Sequence, residues 1–257
     1  MTNPLVCVKR VVDSSSEVVL TEDGQGVDGR FAGFTMSAHE ECAVELAVQV
    51  AAADGGSATV VTLGDADAVE QLRAALAVGC AAATHVVAES ATFGPADVAR
   101  ELAAVVRDHE AAGTPHELVL LGNDAADSGD FQVGIRLAYE LGWPVVNGVS
   151  SVSVSDGEVT ASGSGPDGHE TFRLPLPAVV TILEGGVAPR YPTVPGRMKA
   201  KKVPIEERQT TGSPVGPSRV RLVLPPPSSS NVEVLGQGAA AAPAVVDLFE
   251  RLGVLSR

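Results

Sequence analysis

Short β-branched apolar runs alternate along this chain with longer stretches that repeat every three to four residues, and that alternation leaves few folds open to it. The runs are LVCVKRVV (5–12), ATVVTL (58–63), THVVAE (84–89), ELVLLG (117–122) and PVVNGV (144–149). Helical stretches lie between them, starting from Glu40, from Asp65, from Pro95 and after Asp130. Asp65 is placed to cap its helix, Pro95 suits a first turn, and Gly79 and Gly113 suit helix ends. Strands that are apolar throughout must be covered on both faces, which predicts a mostly parallel sheet between helix layers. Right-handed crossovers then give a Rossmann-like three-layer α/β fold.

After Trp143-Pro144 the pattern changes. Residues 151–175 alternate with period two around Asp156-Gly157, a β-hairpin signal, and a buried-looking run, AVVTIL (178–183), follows. From Glu184 the chain is rich in glycine and proline, then basic at GRMKAKKVPIEER. Residues from about 207 to 240 lack core periodicity and contain LPPPSSS and GQGAAAAP. The chain closes on a short amphipathic helix begun by Pro243 and ended by Gly253, with Val245, Leu248, Phe249 and Leu252 on its apolar face. We therefore expect an α/β nucleotide-binding domain over 1–206 and an extended C-terminal arm over 207–257 that lies on a partner subunit.

Composition removes other classes. A net charge of −14 argues against nucleic acid and anionic membrane as partners. No run approaches the roughly 18 apolar residues of a membrane span. Cys7, Cys42 and Cys80 are too few and too scattered for a disulfide framework or a CxxC metal site, and with no apolar targeting segment at the start a reducing cytoplasm is expected. Cys7, inside an apolar strand, reads as core. His39, His85, His116 and His169 are dispersed, and no general acid or base stands out.

The stretch ELVLLGNDAADSGDFQVGIRLAYELG, from 117, carries the chemistry. A strand empties into an acidic, glycine-bearing loop that becomes a helix with Val133, Leu137, Ala138 and Leu141 on one face. Ligands of open α/β sheets sit beyond the carboxyl ends of strands, and open amides near Gly129 to Val133 with the helix dipole suit a phosphate. Asp124, Asp127 and Asp130 would repel it if aimed at it, so they are expected to cap the helix or meet sugar hydroxyls. Neither a His nor a further acid stands at metal-ligand spacing, and the Gly-Lys-Ser/Thr ending of a Walker loop is absent. A nucleotide site and a plain capped turn without ligand both remain open at this point.

Four stretches carry a family resemblance: VCVKRVVD at the start, GNDAADSGDFQVG in the middle, LPAVVTI after the hairpin, and APRYPTVPGRMKAKKVPIE. In this order and spacing they resemble the beta subunit of electron-transfer flavoproteins over essentially the whole chain. The resemblance implies a non-catalytic electron carrier that pairs with an alpha subunit bearing the redox-active FAD. Such a heterodimer takes electrons from flavin dehydrogenases and passes them to an acceptor such as a quinone oxidoreductase. It also implies a structural AMP in this subunit, or a second FAD as in electron-bifurcating relatives.

By position, the AMP cradle comprises Cys7, the stretch Ser37, Ala38, His39 and Glu40, Leu63, and the loop Gly122, Asn123, Asp124, Ala125, Ala126, Asp127, Ser128, Gly129, Asp130, Phe131, Gln132 and Val133. Amides near Phe131, Gln132 and Val133 would take the phosphate, and Asp127 would order the loop or contact sugar. A recognition loop for dehydrogenases is implied over about 182–204, with Pro189, Arg190, Tyr191, Val194 and Met198. Val194 would be its apolar anchor, and Lys199, Lys201 and Lys202 would supply charge. The chain departs from the family pattern at Val187-Ala188, at Ser37-Ala38-His39 and at Ser14, which suggests a divergent branch with altered partner choice or nucleotide affinity. The rival reading is a stand-alone nucleotide-binding α/β protein of the stress-protein kind, which leaves the arm and the basic segment unexplained.

Overall fold

The computed structural model describes all residues except 14, 16, 218, 227–231 and 255–257, so the departure at Ser14 lies outside the described residues. The chain divides into two units, Met1–Leu222 and Val223–Arg257. In the first, elements follow as β1 (Leu5–Cys7), β2 (Val11–Val12), β3 (Phe34–Thr35), α1 (Ala38–Ala53), β4 (Thr59–Gly64), α2 (Val69–Val78), β5 (Ala82–Val87), α3 (Pro95–Ala111) and β6 (Leu118–Gly122). Then come α4 (Val133–Leu141), β7 (Val145–Val149), β8 (Ser151–Ser155), β9 (Glu158–Gly165), β10 (Gly168–Pro175), β11 (Ala178–Ile182), α5 (Val194–Ala200) and β12 (Ile205–Gln209).

Seven strands form one sheet in the order β12-β5-β4-β1-β6-β11-β7, and each pairing in it is parallel. The apolar runs are double-faced for the expected reason. Leu118 and Leu120 pack with α1 and α2 on one side, whereas Val119 and Leu121 pack with α3 and α4 on the other. The chain steps outward from β1 to β4 and β5, then α3 carries it back past β1 to β6. That reversal opens a crevice beyond the carboxyl ends of β1 and β6, the usual ligand position in such sheets.

Several local expectations are corrected. The run 5–12 is two strands, because Lys9 leaves the sheet and Val11–Val12 pairs antiparallel with β3 instead. Asp65 makes no cap bond: it precedes a 3₁₀ turn, Ala66–Ala68, and its carboxylate accepts from Ser90 N and Oγ at 3.4 and 3.5 Å. The hairpin at Asp156-Gly157, both at positive φ (54° and 78°), exists but gains β10 as a third strand. β12 joins the sheet edge beside β5 and runs across residue 206. The second unit contains α6 (Ala242–Arg251), with Pro243 in its first turn and Phe249 and Leu252 exposed.

Candidate functional site

A cavity of about 460 Å³ opens at the carboxyl ends of β1, β4 and β6, between the first turns of α3 and α4. That volume lies within the roughly 300–1,000 Å³ of small-ligand sites. Of the cradle residues, Cys7, Glu40, Leu63, Gly122, Asn123, Asp124, Ala125, Ser128, Asp130, Phe131, Gln132 and Val133 line it. Ser37, Ala38, His39, Ala126, Asp127 and Gly129 do not line it.

The loop after β6 is anchored at its root. Asn123 N donates to Ile182 O at 2.8 Å, and Thr181 Oγ1 donates to Asn123 Oδ1 at 2.7 Å. Ser128 and Gly129 amides then turn back onto Ala125 O at 3.2 and 2.9 Å. Gly129 has φ 58° and Phe131, without a glycine's freedom, φ 55°. The left-handed step at Phe131 costs on the order of 1–3 kcal/mol and swings the chain into α4. Among the described residues none accepts from the amides of Gln132, Val133 or Gly134, and no side chain caps α4. The first turn of α3, with Gly94 and Pro95 at its start, is also without a side-chain cap. Two positive helix ends therefore face one cavity.

None of the three loop aspartates caps α4, which removes one of the two roles expected of them. Asp127 Oδ1 accepts from Lys9 Nζ at 2.7 Å, which ties the loop across to the end of β1. Asp124 Oδ1 accepts from His39 Nε2 at 3.0 Å, and Asp130 is exposed. Since Glu184 N donates to His39 Nδ1 at 2.8 Å, the ring proton sits on Nε2 and His39 links the loop to the segment after β11.

At the start of α1, Ser37 and Glu40 form a reciprocal capping box. Glu40 Oε2 accepts from Ser37 N and Oγ at 2.9 and 3.0 Å, and Oε1 accepts from Lys9 N at 2.8 Å. Gly122 lets this turn lie on the end of β6: a Cβ there would sit 2.9 Å from Glu40 Cγ. Burial pushes the Glu40 carboxyl up to about 7 despite its donors. The native state therefore keeps this proton where the unfolded chain, near 4.5, has lost it, and stability falls as pH rises from 4.5 to 7. Glu40→Gln should flatten that slope in thermal unfolding between pH 4.5 and 8. It should also lower stability at pH 5 by about 1–3 kcal/mol, because backbone N–H groups of Lys9 and Ser37 point at both side-chain oxygens and an amide NH2, unlike a carboxyl hydroxyl, cannot accept from either. An unchanged slope would show that Glu40 does not titrate in that window.

The segment expected as a loop over 182–204 contains a helix. Thr193 Oγ1 accepts from Gly196 N at 3.1 Å, Pro195 lies in the first turn, and Val194 is the first residue of α5. Val194, Tyr191 and Met198 are 73, 93 and 61% exposed, beside exposed Lys199, Lys201 and Lys202. Pro189 is half-buried. Arg190 is held by buried Glu45 of α1, with Nε and Nη2 each 2.7 Å from its carboxylate oxygens.

Sequence reading missed Lys9, Phe93, Gly94, Arg136 and Arg219, all on the cavity wall. Lys9 sits two residues past β1 and could have been noticed. The others arrive by tertiary packing and carry no local signal. His109 and His116 also meet, at 2.9 Å between Nδ1 and Nε2, and neither lines the cavity. Burial raises the Cys7 thiol, which keeps it protonated and inert. No described helix is long and apolar enough to cross a membrane.

Comparison with known proteins agrees with this architecture. The family model described as electron transfer flavoprotein domain matches residues 30–212. Electron transfer flavoprotein subunit beta of Bacillus subtilis is 30% identical over 205 residues, 80% of this chain and 78% of the relative. That of Syntrophomonas wolfei is 31% identical over 234 residues, covering 90 and 88% of the two chains. That of Bradyrhizobium diazoefficiens is 38% identical over 209 residues, covering 79 and 80%. The family model spans well over half of the chain and relatives at 30% identity or more cover over two thirds of it, so the chain belongs to the electron transfer flavoprotein beta subunit family.

Proposed function

We propose that this chain is the beta subunit of a cytoplasmic electron-carrying heterodimer. Its alpha partner holds FAD, and this subunit holds one AMP in the cavity beyond β1 and β6. The observation that carries the reading is the cavity itself, flanked by two uncapped helix starts in a chain of this family. Its apolar side, with Leu63, Phe93, Val98 and Leu102, suits adenine, and the open amides of Gln132, Val133 and Gly134 suit the phosphate. AMP would contribute binding free energy to the folded subunit, and FAD on the partner the redox chemistry. Electrons would come from flavin dehydrogenases and pass to an acceptor such as a quinone oxidoreductase.

Docking of the dehydrogenase is assigned to the segment over about 182–204, whose exposed Val194 is a small apolar anchor. Weak, fast-released contacts of this size suit a carrier. Val194→Asp should slow electron acceptance at limiting dehydrogenase by at least tenfold, because a carboxylate entering an apolar pocket meets a desolvation cost of several kcal/mol. Flavin content should stay the same; an equal rate would remove Val194 from the contact.

The reading as a whole is tested on the chain co-expressed with an alpha subunit. Denaturing the purified complex and separating the released small molecules should give one FAD and one AMP per heterodimer. Two FAD would replace AMP with a second flavin, as in a bifurcating complex. FAD with no second nucleotide would overturn the cradle.

A further inference from the structure

We propose that Arg219, delivered to the cavity by the segment after β12, together with Arg136 of α4, selects the phosphate of the bound nucleotide. This rests on the nucleotide reading above. Arg219 lies outside the span matched by the family model, so family likeness does not assign it.

The delivery is built in. Thr211 donates from N and Oγ1 to the Glu101 carboxylate at 2.7 and 2.9 Å. Val215 N and Gly216 N donate to the two Asp97 oxygens at 3.0 and 2.9 Å. Both carboxylates are buried on α3, at 0 and 2% exposure, and Arg100 pairs with each. Gly94, at the start of α3, admits the strap: a Cβ there would sit 2.0 Å from Pro217 O. Beyond the cavity, Arg219 Nη1 donates to Gln25 O and Leu222 N to Gly24 O, both at 2.8 Å. Contacts on either side thus hold Pro217 and Arg219 against the cavity wall.

Charge gives the delivery its purpose. Lys9, Arg136 and Arg219 line the cavity, and Lys9 is neutralised by Asp127. Among the described residues the Arg136 guanidinium meets only the amide oxygen of Gln132, at 3.0 and 2.8 Å, and that of Arg219 only the Gln25 carbonyl. Among the described residues neither guanidinium pairs with a carboxylate, although the chain has 32 acidic residues against 18 lysines and arginines. Two guanidinium groups without an ion-pair partner, on a wall that also carries Asp124 and Asp130, match the double charge of a phosphate monoester and leave fork donors free to bind it.

The test is calorimetry on the nucleotide-stripped heterodimer with AMP and with adenosine. Wild type should bind AMP far more tightly than adenosine. Arg219→Gln should weaken AMP by about 10- to 100-fold, the loss of one charge-assisted contact, and leave adenosine unchanged. Arg219→Lys should recover part of the loss, and Arg136→Gln should act in the same direction. Asp97→Asn, which loosens the strap without touching ligand, should weaken AMP less and spare adenosine. AMP affinity unchanged in Arg219→Gln overturns the proposal and leaves the nucleotide site standing. A wild-type heterodimer that binds neither probe removes both.

Discussion

Gln132→Pro should yield a folded chain that has lost its nucleotide. The Gln132 amide is the first open donor at α4, and a proline there has no N–H to give. Geometry adds to the loss. Gln132 has φ −115°, away from the proline value near −65°, and Phe131 before it has φ 55°, a left-handed conformation that a following proline disfavours. The loop path that aims the neighbouring amides must therefore shift, and AMP affinity should fall by at least about 100-fold, roughly two charge-assisted hydrogen bonds. At nucleotide concentrations about 100 times Kd, the lost ligand linkage lowers stability by about 2.7 kcal/mol. Released-nucleotide analysis and thermal unfolding with and without added AMP measure both effects. Gln132→Ala, which keeps the amide, should stay within a few-fold of wild type. Full AMP content in the proline variant would move the phosphate elsewhere.

The parallel sheet was legible because its signal is local and repeated. Residues such as Leu118–Leu121 must be apolar on both faces wherever they sit, and Gly79 and Gly113 mark helix ends by their own backbone needs. The acidic loop was legible as a loop, but the partners of its aspartates were not. Asp127 answers to a lysine 118 positions earlier, and Asp124 to His39 of another element. No periodicity encodes such pairs, so capping, offered by the loop read alone, gave way to ion pairs made across the fold.

The basic segment shows the opposite limit. Pro195 and Gly196 read as loop formers, yet Thr193 caps a helix through Gly196 N, and Pro195 fits its first turn. The residues after β12 lack apolar periodicity because hydrogen bonds to Asp97 and Glu101 hold them in place of core packing. An extended strap held by buried carboxylates looks, from its own residues, like a tail.

Arg190→Ala should separate docking from nucleotide binding. Glu45 is 5% exposed in α1 and accepts from Arg190 through N, Nε and Nη2, with Gln49 Nε2 as a further donor. Deleting the guanidinium leaves a buried carboxylate with two charge-assisted contacts missing, which should cost about 1.5–3 kcal/mol. The pH response identifies the cause. Hydrogen bonds from the Arg190 side chain hold the Glu45 carboxyl below its ordinary 4.5. The pair therefore stabilises above that value, and its contribution is lost as pH falls through the lowered native one. Wild type should lose more stability than the variant on acidification below pH 4.5, so their unfolding temperatures should converge in acid. Functionally, Arg190 fastens the end of the segment before Val194 to α1, whereas its start is held by His39 of α1 through Glu184 N, and the loop after β6 has its own further anchor through Asn123 and Thr181. AMP content should then be retained while electron acceptance at limiting dehydrogenase drops by about tenfold or more, the equivalent of roughly 1.4 kcal/mol of lost docking. Loss of AMP together with docking would mean that the segment and the cavity are one cooperative element. An unchanged transfer rate would mean that the partner itself orders the segment on contact.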